Sequence, residues 1–504
     1  MNTITGPHAG LGIAEPVPQL SERTLINTPS SIAVALVAAM VTVAYYIFSD
    51  QLSVVALFGM CLVVGSCVSY LIARSSGSEM TFSLNVFACT YSINVILAIA
   101  LSSYYVSEYG RPFLWNNFSP DIATGYLTDY GRRFLTHISD GVNDDLKFHI
   151  VGLAIARDWI QGSSSSGELT RFFDYKGYPY LVGGVLYFSN LFGDMSPLAP
   201  RILNCMFGGL LSASVFALAF SIYGIDIGRR AATICAIFPV FNFYSANTFR
   251  DILIVFLLVV STLLVLRLAR SRGVGPGLQL IIPLAVCSGA LFFLRSATLY
   301  VLVVAWMLYF AIYEKWLWRR AVIVALLVAM LVAAILNARD FGNPSGESLM
   351  HQADGWNEAR LRGSSKDSLA VKYIYSAPSY LFVPLNALYM VFMPVPPIRQ
   401  LNFPGIVEGV GALAWYFLVP FWFYGLAKGL KQRDAALIVV TSLALFAAVA
   451  YIGGALRHKM QFMAFALIHV SYASDILRRS VALICLGVAL VLSILAGVYL
   501  VLKS

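Results

Sequence analysis

Charge is what this chain has least of. Only 12% of its 504 residues are Asp, Glu, Lys or Arg, about half the share found in soluble domains. With 59% hydrophobic residues and a mean hydropathy of +0.77, a water-soluble globular class is excluded. Cysteine is missing from the long polar stretches. All seven (Cys61, Cys67, Cys89, Cys205, Cys235, Cys287 and Cys485) fall within apolar runs, where they read as small core residues rather than a disulfide framework or zinc site. Histidine is scarce too, and His149 and His469 have no other donor at ligand spacing, so no metal or other cofactor is expected. No internal repeat is evident. The first 30 residues contain Pro7, Pro16, Pro18 and Pro29 but no apolar core with a cleavage site. They are expected to form a disordered cytoplasmic tail.

What the chain has is apolar length. Runs long enough to cross about 30 Å of hydrocarbon cover 31–49, 52–74, 81–105, 199–223, 229–246, 249–270, 277–294, 297–313, 319–337, 406–428, 434–453, 456–474 and 480–502. The expected class is therefore an all-α, polytopic membrane protein with about 13 transmembrane helices. The expected units are the tail 1–30, a core 31–337 including the loop 106–198, a loop 338–405, and C-terminal helices 406–504.

Charge sets the orientation. With the N-terminus inside, Arg74, Arg229/Arg230, Arg267/Arg270/Arg272, Lys315/Arg319/Arg320, Lys428/Lys431/Arg433 and Arg478/Arg479 all fall on one side, as basic loops do at a cytoplasmic face. The net charge of +9 thus needs no nucleic-acid partner. That assignment requires 178–193 and 378–395 to lie in the outer interface rather than cross. Both long loops, 106–198 and 338–405, are then outside, where long ordered loops usually carry function.

Four polar clusters fall on that side. Asp144 and Asp145 open a stretch whose Phe148, Val151, Ile155 and Trp159 recur at helical spacing. Carboxylates at such a position either cap the helix and complement its dipole or take a proton from a hydroxyl nucleophile. Lys147 and His149 follow within the same cluster. Asp174-Tyr175-Lys176 combines a cation with an aromatic, suited to a phosphate near a lipid tail or to plain interfacial anchoring. Arg250-Asp251 is either a structural ion pair or a site element. Arg457-His458-Lys459 follows Gly453-Gly454 and presents three basic groups against the insertion bias, as a phosphate clamp would. Arg295 is a further basic residue in a short outer turn.

Taken in order, these motifs resemble the GT-C superfamily of membrane glycosyltransferases, in the branch of the aminoarabinose lipid A transferases and protein O-mannosyltransferases. Asp144-Asp145-x-x-Phe148 is similar to that family's Asp-Glu-x-x-Tyr/Phe motif. Asp174-Tyr175-Lys176, Pro179-Tyr180, Phe192-Gly193-Asp194 and Arg201 are similar to its second segment, and Arg250-Asp251 to its second acidic site. The likeness covers roughly 81–270; Lys176-Gly177-Tyr178-Pro179 stands where Lys-Pro-Pro is usual, and two spans precede the family's first helix.

The resemblance implies a GT-C fold and an inverting transfer from a polyprenyl phosphate-linked sugar. The acceptor is a glycan, lipid or protein of the cell envelope, reached at the periplasmic face of a bacterial inner membrane. Asp144 is then the catalytic carboxylate and Asp251 the second acid. Asp145, Lys147, Tyr175, Lys176, Arg250, Arg457, His458 and Lys459 are candidates for holding substrate. Two alternatives stay open: a polymerase or ligase of diphosphate-linked oligosaccharides, and a glycolipid flippase or transporter.

Overall fold

A computed structural model of the protein describes residues 28–109, 144–162, 177–271, 274–313, 379–392, 402–452 and 456–503. Among these residues the chain is helical and contains no strand. The helices are α1 (Thr28–Ser49), α2 (Leu52–Ser76), α3 (Met80–Tyr109), α4 (Asp144–Gln161), α5 (Gly177–Asn190), α6 (Ala199–Tyr223), α7 (Ile225–Ile237) and α8 (Pro239–Ser245). They continue as α9 (Asp251–Arg270), α10 (Val274–Tyr313), α11 (Ser379–Phe392), α12 (Phe403–Gly429), α13 (Arg433–Ile452), α14 (Leu456–Ile476) and α15 (Val481–Lys503).

Among the described residues, seven helices are long and apolar enough to span a bilayer, or eight with the bent α14–α15 pair, whose axes meet at 89°. The protein is thus a multi-pass membrane protein whose described residues are helical. In lipid, helices satisfy every backbone polar group internally. The buried core runs through α2, α3, α6, α9, α12 and α14, and in α6 and α9 most positions are enclosed by protein. The outer surfaces of α1 and α15 stay apolar and exposed, as with Met40, Ile47, Leu483 and Leu486. That is the pattern expected where lipid, not water, is the solvent.

Side-chain contacts sort the helix ends into two groups. At one end Arg229 pairs with Glu79, Arg230 with Asp475, and Arg270 with Asp434. At the other, Ser53 meets Asp194, Arg201 meets Asp145, and Arg295 meets Asp251. This sorting resolves α10, a 40-residue helical run and so about 60 Å long if straight. Its start follows Arg270, Arg295 lies against Asp251, and the Tyr313 hydroxyl donates to the Leu430 carbonyl, three residues before α13 begins. The chain therefore reaches one end at Arg295 and turns back. Arg295 has extended backbone (φ −169°, ψ 87°) between the two helical halves, at the point where the sequence places a turn between 277–294 and 297–313. The predicted span 229–246 is divided into α7 and α8 at Phe238-Pro239, because proline cannot donate to the preceding turn. The predicted span 319–337 lies outside the described residues, as do residues 1–27 of the predicted tail 1–30 and most of both long loops; Thr28 to Ser30 instead open α1.

The 14-residue helices α5 and α11 reach only about 21 Å, less than a hydrocarbon core. α11 is held by polar contacts along its length. The Asn386 amide donates to the Ala450 carbonyl, and the Val391 carbonyl accepts from Trp415 Nε1 at 2.8 Å and Lys459 Nζ at 3.2 Å.

One close approach is testable. A Cβ at Gly425 on α12 would land on the His469 carbonyl of α14, whereas one at exposed Gly59 on α2 would meet nothing within 4 Å. Gly425→Ala should destabilise the protein by about 1–3 kcal/mol, the usual cost of overpacking. Gly59→Ala should be neutral or slightly stabilising, since alanine is the better helix former. Thermal unfolding in detergent, followed for both variants, checks the contrast.

Candidate functional site

The polar end of the bundle is assembled around Asp145. This residue lies in the first turn of α4, where a carboxylate complements the helix dipole. It is wholly buried. Its Oδ2 accepts from Arg201 Nη2 at 2.8 Å, and its Oδ1 accepts from the Thr248 backbone N–H at 2.6 Å. Arg201 is equally buried and sits in the first turn of α6, just after Pro200, a residue favoured at helix starts. Its guanidinium lies 5.5 Å from the ring centre of Tyr105 on α3.

Thr248 belongs to the turn between α8 and α9, and that turn is held independently. The Asn204 amide donates to the carbonyls of Asn247 (2.7 Å) and Phe249 (2.8 Å). Asn247 donates to the Phe243 carbonyl at 2.9 Å, and its own oxygen accepts from the Tyr105 hydroxyl at 3.4 Å. Tyr178 of α5 donates to the Asn204 side-chain oxygen at 3.0 Å. Five elements thus meet in one network: α3, α4, α5, α6 and the α8–α9 turn. Burial pushes the Tyr178 hydroxyl well above its ordinary range, so it stays a donor.

Beside this network lies a second one. Arg250 places its guanidinium 5.7 Å from the ring centre of Phe148 and donates to the Leu294 carbonyl at 3.3 Å. Asp251 faces Arg295 at 3.6 Å, a long ion pair across the α10 break. Gly177, which opens α5, lies so close to the Phe293 carbonyl that a Cβ there would stand 2.9 Å from it. Past Arg295, a cleft of about 390 Å³ counting its open mouth is bounded by Thr298, Val301, Leu445, Val449, His458 and Gln461 among others.

The sequence-predicted residues divide clearly. Asp145, Arg250 and Asp251 come together, with Lys147 half-buried on the same helix as Asp145. Asp144 is the first residue of α4, immediately before the anchored Asp145. Tyr175 and Lys176 lie outside the described residues. The basic triplet separates: Arg457 is half-buried, His458 lines the cleft, and Lys459 is enclosed, with its ammonium 4.9 Å from the Trp415 ring centre. Consecutive helical residues point about 100° apart, so three in a row cannot share one face. Sequence reasoning missed Asn204, Asn247, Tyr105, Thr298 and Gln461 as members of this end. Their only signal is a polar side chain near the end of an apolar run. No protein-family model and no curated protein matches this sequence.

Two outcomes follow from the buried pair and its neighbour. Removing one partner, as in Asp145→Asn or Arg201→Met, should cost about 3–5 kcal/mol because the other charge stays buried. The double variant should recover part of that but not all, since the Thr248 N–H loses a charged acceptor. Thermal midpoints of the three variants test this. His149, one turn further along α4, is buried, and that burial lowers its pKa from 6.5 to about 4. The unfolded chain then binds more protons between those values. Stability should be intact above pH 6.5 and fall as pH drops toward 4, with a shallower slope in His149→Gln, as protease resistance across that range would show.

Proposed function

We propose that this protein is an inverting glycosyltransferase of the GT-C type, acting on a polyprenyl phosphate-linked sugar at the outer face of a bacterial inner membrane. The observation that carries the reading is the Asp145–Arg201–Thr248 clamp. It fastens the start of the loop helix α4 to the same end of the bundle as Arg250, Asp251 and Arg295. A carboxylate-led helix held beside fixed cations, in a chain otherwise poor in charge, suits chemistry on a phosphate-bearing lipid. In this reading about 13 spans cross the membrane, and α4, α5 and α11 lie in the outer interface. The loops 106–198 and 338–405 then face the periplasm.

The step is an in-line displacement. Asp144 takes the proton of an acceptor hydroxyl on a glycan, lipid or protein. The hydroxyl oxygen bonds to the anomeric carbon from the face opposite the phosphate, and the carbon–oxygen bond to phosphate breaks. The electron pair leaves with polyprenyl phosphate, and the configuration inverts. Asp145 supports this by fixing the helix start, and Asp251 positions the acceptor. Lys147, Tyr175, Lys176, Arg250 and Arg457 bind the donor and offset the charge that develops on the leaving phosphate. His458 reaches the same region through the cleft, and Lys459 acts from beneath by holding α11 in place.

Asp144→Asn should lower transfer by at least about 10²-fold, the usual share of a positioned base, with the thermal midpoint and carrier binding preserved. Near-wild-type turnover in that variant would remove Asp144 from the mechanism. Mass spectrometry of a deletion strain gives the second measurement. Accumulation of a polyprenyl monophosphate sugar is expected; a diphosphate-linked oligosaccharide instead would make the protein a polymerase or ligase.

A further inference from the structure

The end of the bundle opposite Asp145 encloses polar groups that the transfer chemistry does not use. His469 is wholly buried on α14, and neither of its ring nitrogens makes a hydrogen bond of ordinary geometry. The Ile438 main chain on α13 approaches the ring. A neutral imidazole has one donor and one acceptor nitrogen, so a main-chain carbonyl can serve the first and not the second. The Tyr223 hydroxyl, on the last residue of α6, is also buried without a hydrogen-bond partner. Its ring is held by stacking on Tyr472 with centres 4.2 Å apart, and the Tyr472 hydroxyl accepts from the Gln432 amide at 2.8 Å.

Two glycines of α12 shape the space beside these groups. At Gly425 no room is left, since a Cβ would land on the His469 carbonyl. Gly429, one turn further and also buried, is different. A Cβ there would stand 3.4 Å from the Tyr223 hydroxyl oxygen and 3.4 Å from His469 Cε1, with a Val439 methyl at 2.9 Å. Cε1 is the ring carbon between the two nitrogens. The absent side chain thus leaves a notch walled by a hydroxyl, an imidazole edge and one methyl group. The hydroxyl and the imidazole edge are no more than twice 3.4 Å apart, a gap that one oxygen atom spans with two hydrogen bonds of about 2.8 Å.

We propose that the Gly429 notch is a binding site for one water molecule, which accepts from the Tyr223 hydroxyl and donates to the acceptor nitrogen of His469. Buried water settles where about 2–4 otherwise unsatisfied polar groups converge, and an ionisable side chain inside a membrane bundle needs a partner. The water ties the end of α6 to α12 and α14 by hydrogen bonds instead of charge. It does so close to the open Arg270–Asp434 pair, whose Arg270 also donates to the Ser221 carbonyl two residues before Tyr223. The site uses none of the residues of the glycosyltransferase reading and stands or falls apart from it.

Hydroxyl-radical footprinting tests this with the full-length protein in phosphatidylcholine nanodiscs. A brief X-ray pulse makes radicals from water wherever it lies, so an enclosed side chain is oxidised only beside an enclosed water. His469 is the reporter. Tyr91 is the control, being wholly buried with its hydroxyl donating to the Phe58 carbonyl at 3.0 Å. In the wild type, peptide mass spectrometry should find His469 oxidised and Tyr91 not. Gly429→Ala should bring His469 down to the Tyr91 level by filling the notch. Tyr223→Phe should lower it by removing one of the water's two partners. Unfolding raises oxidation at both residues, so it cannot imitate a loss. Should Gly429→Ala fail to fold against Val439, Tyr223→Phe decides. A wild-type His469 as silent as Tyr91 would overturn the site, as would unchanged His469 oxidation in the folded variants.

Discussion

An unpaired charge cannot be left inside a hydrocarbon-facing bundle, and the Asp145–Arg201 pair is where this protein meets that constraint most severely. Both side chains are fully enclosed, and each offsets the buried charge of the other. The carboxylate has a second claim on it from the Thr248 N–H. One residue near the start of α4 therefore ties down the beginning of α6 and the turn before α9 together. Those three points carry the rest of the polar end: Asn204 on α6, Arg250 and Asp251 after the turn, and Phe148 one turn further along α4. The pair is thus an ionic link between α4 and the helices that cross the membrane, beside the Phe148 contacts with Arg250 and Tyr178.

The surrounding network extends this fixing without adding charge. Asn204 and Asn247 use their amides to hold main-chain carbonyls, while Tyr105 and Tyr178 each supply a hydroxyl donor. Buried polar groups here take their partners from neighbouring helices, as burial demands. The apolar packing of α4 on α5 through Val151, Ile155, Val182 and Leu186 is continuous with the main core of the bundle.

The class of the fold was legible in the sequence because lipid leaves few options: long apolar runs must be helices, and basic loops must gather. The reversal at Arg295 was legible for the same reason, a lone charge between two apolar runs. Asp144 and Asp145 stood out as acids opening an amphipathic stretch. What could not be read was which of them is consumed by packing, since Arg201 is 56 residues away and Thr248 contributes a main-chain N–H that every residue possesses. The basic triplet misled in a different way. Adjacent in sequence, its members diverge around α14, and Lys459 turns toward Trp415 and the Val391 carbonyl, contacts that depend on α11 and α12 arriving from elsewhere.

The three ion pairs at the far end have a separate consequence. Arg229–Glu79, Arg230–Asp475 and Arg270–Asp434 are all partly open, with side-chain exposures between 27% and 47%. Mobile ions in solution screen charges at such positions within about 10 Å at 0.1 M salt, while enclosed pairs feel far less of it. The molecule is thus electrostatically lopsided. Ionic strength acts mainly on the end where α3, α7, α9, α13 and α14 are laced together, and far less on the Asp145 end. Rising salt slackens the lacing at one rim while the opposite rim keeps its grip, so any salt-driven splaying of the bundle pivots about the Asp145 end.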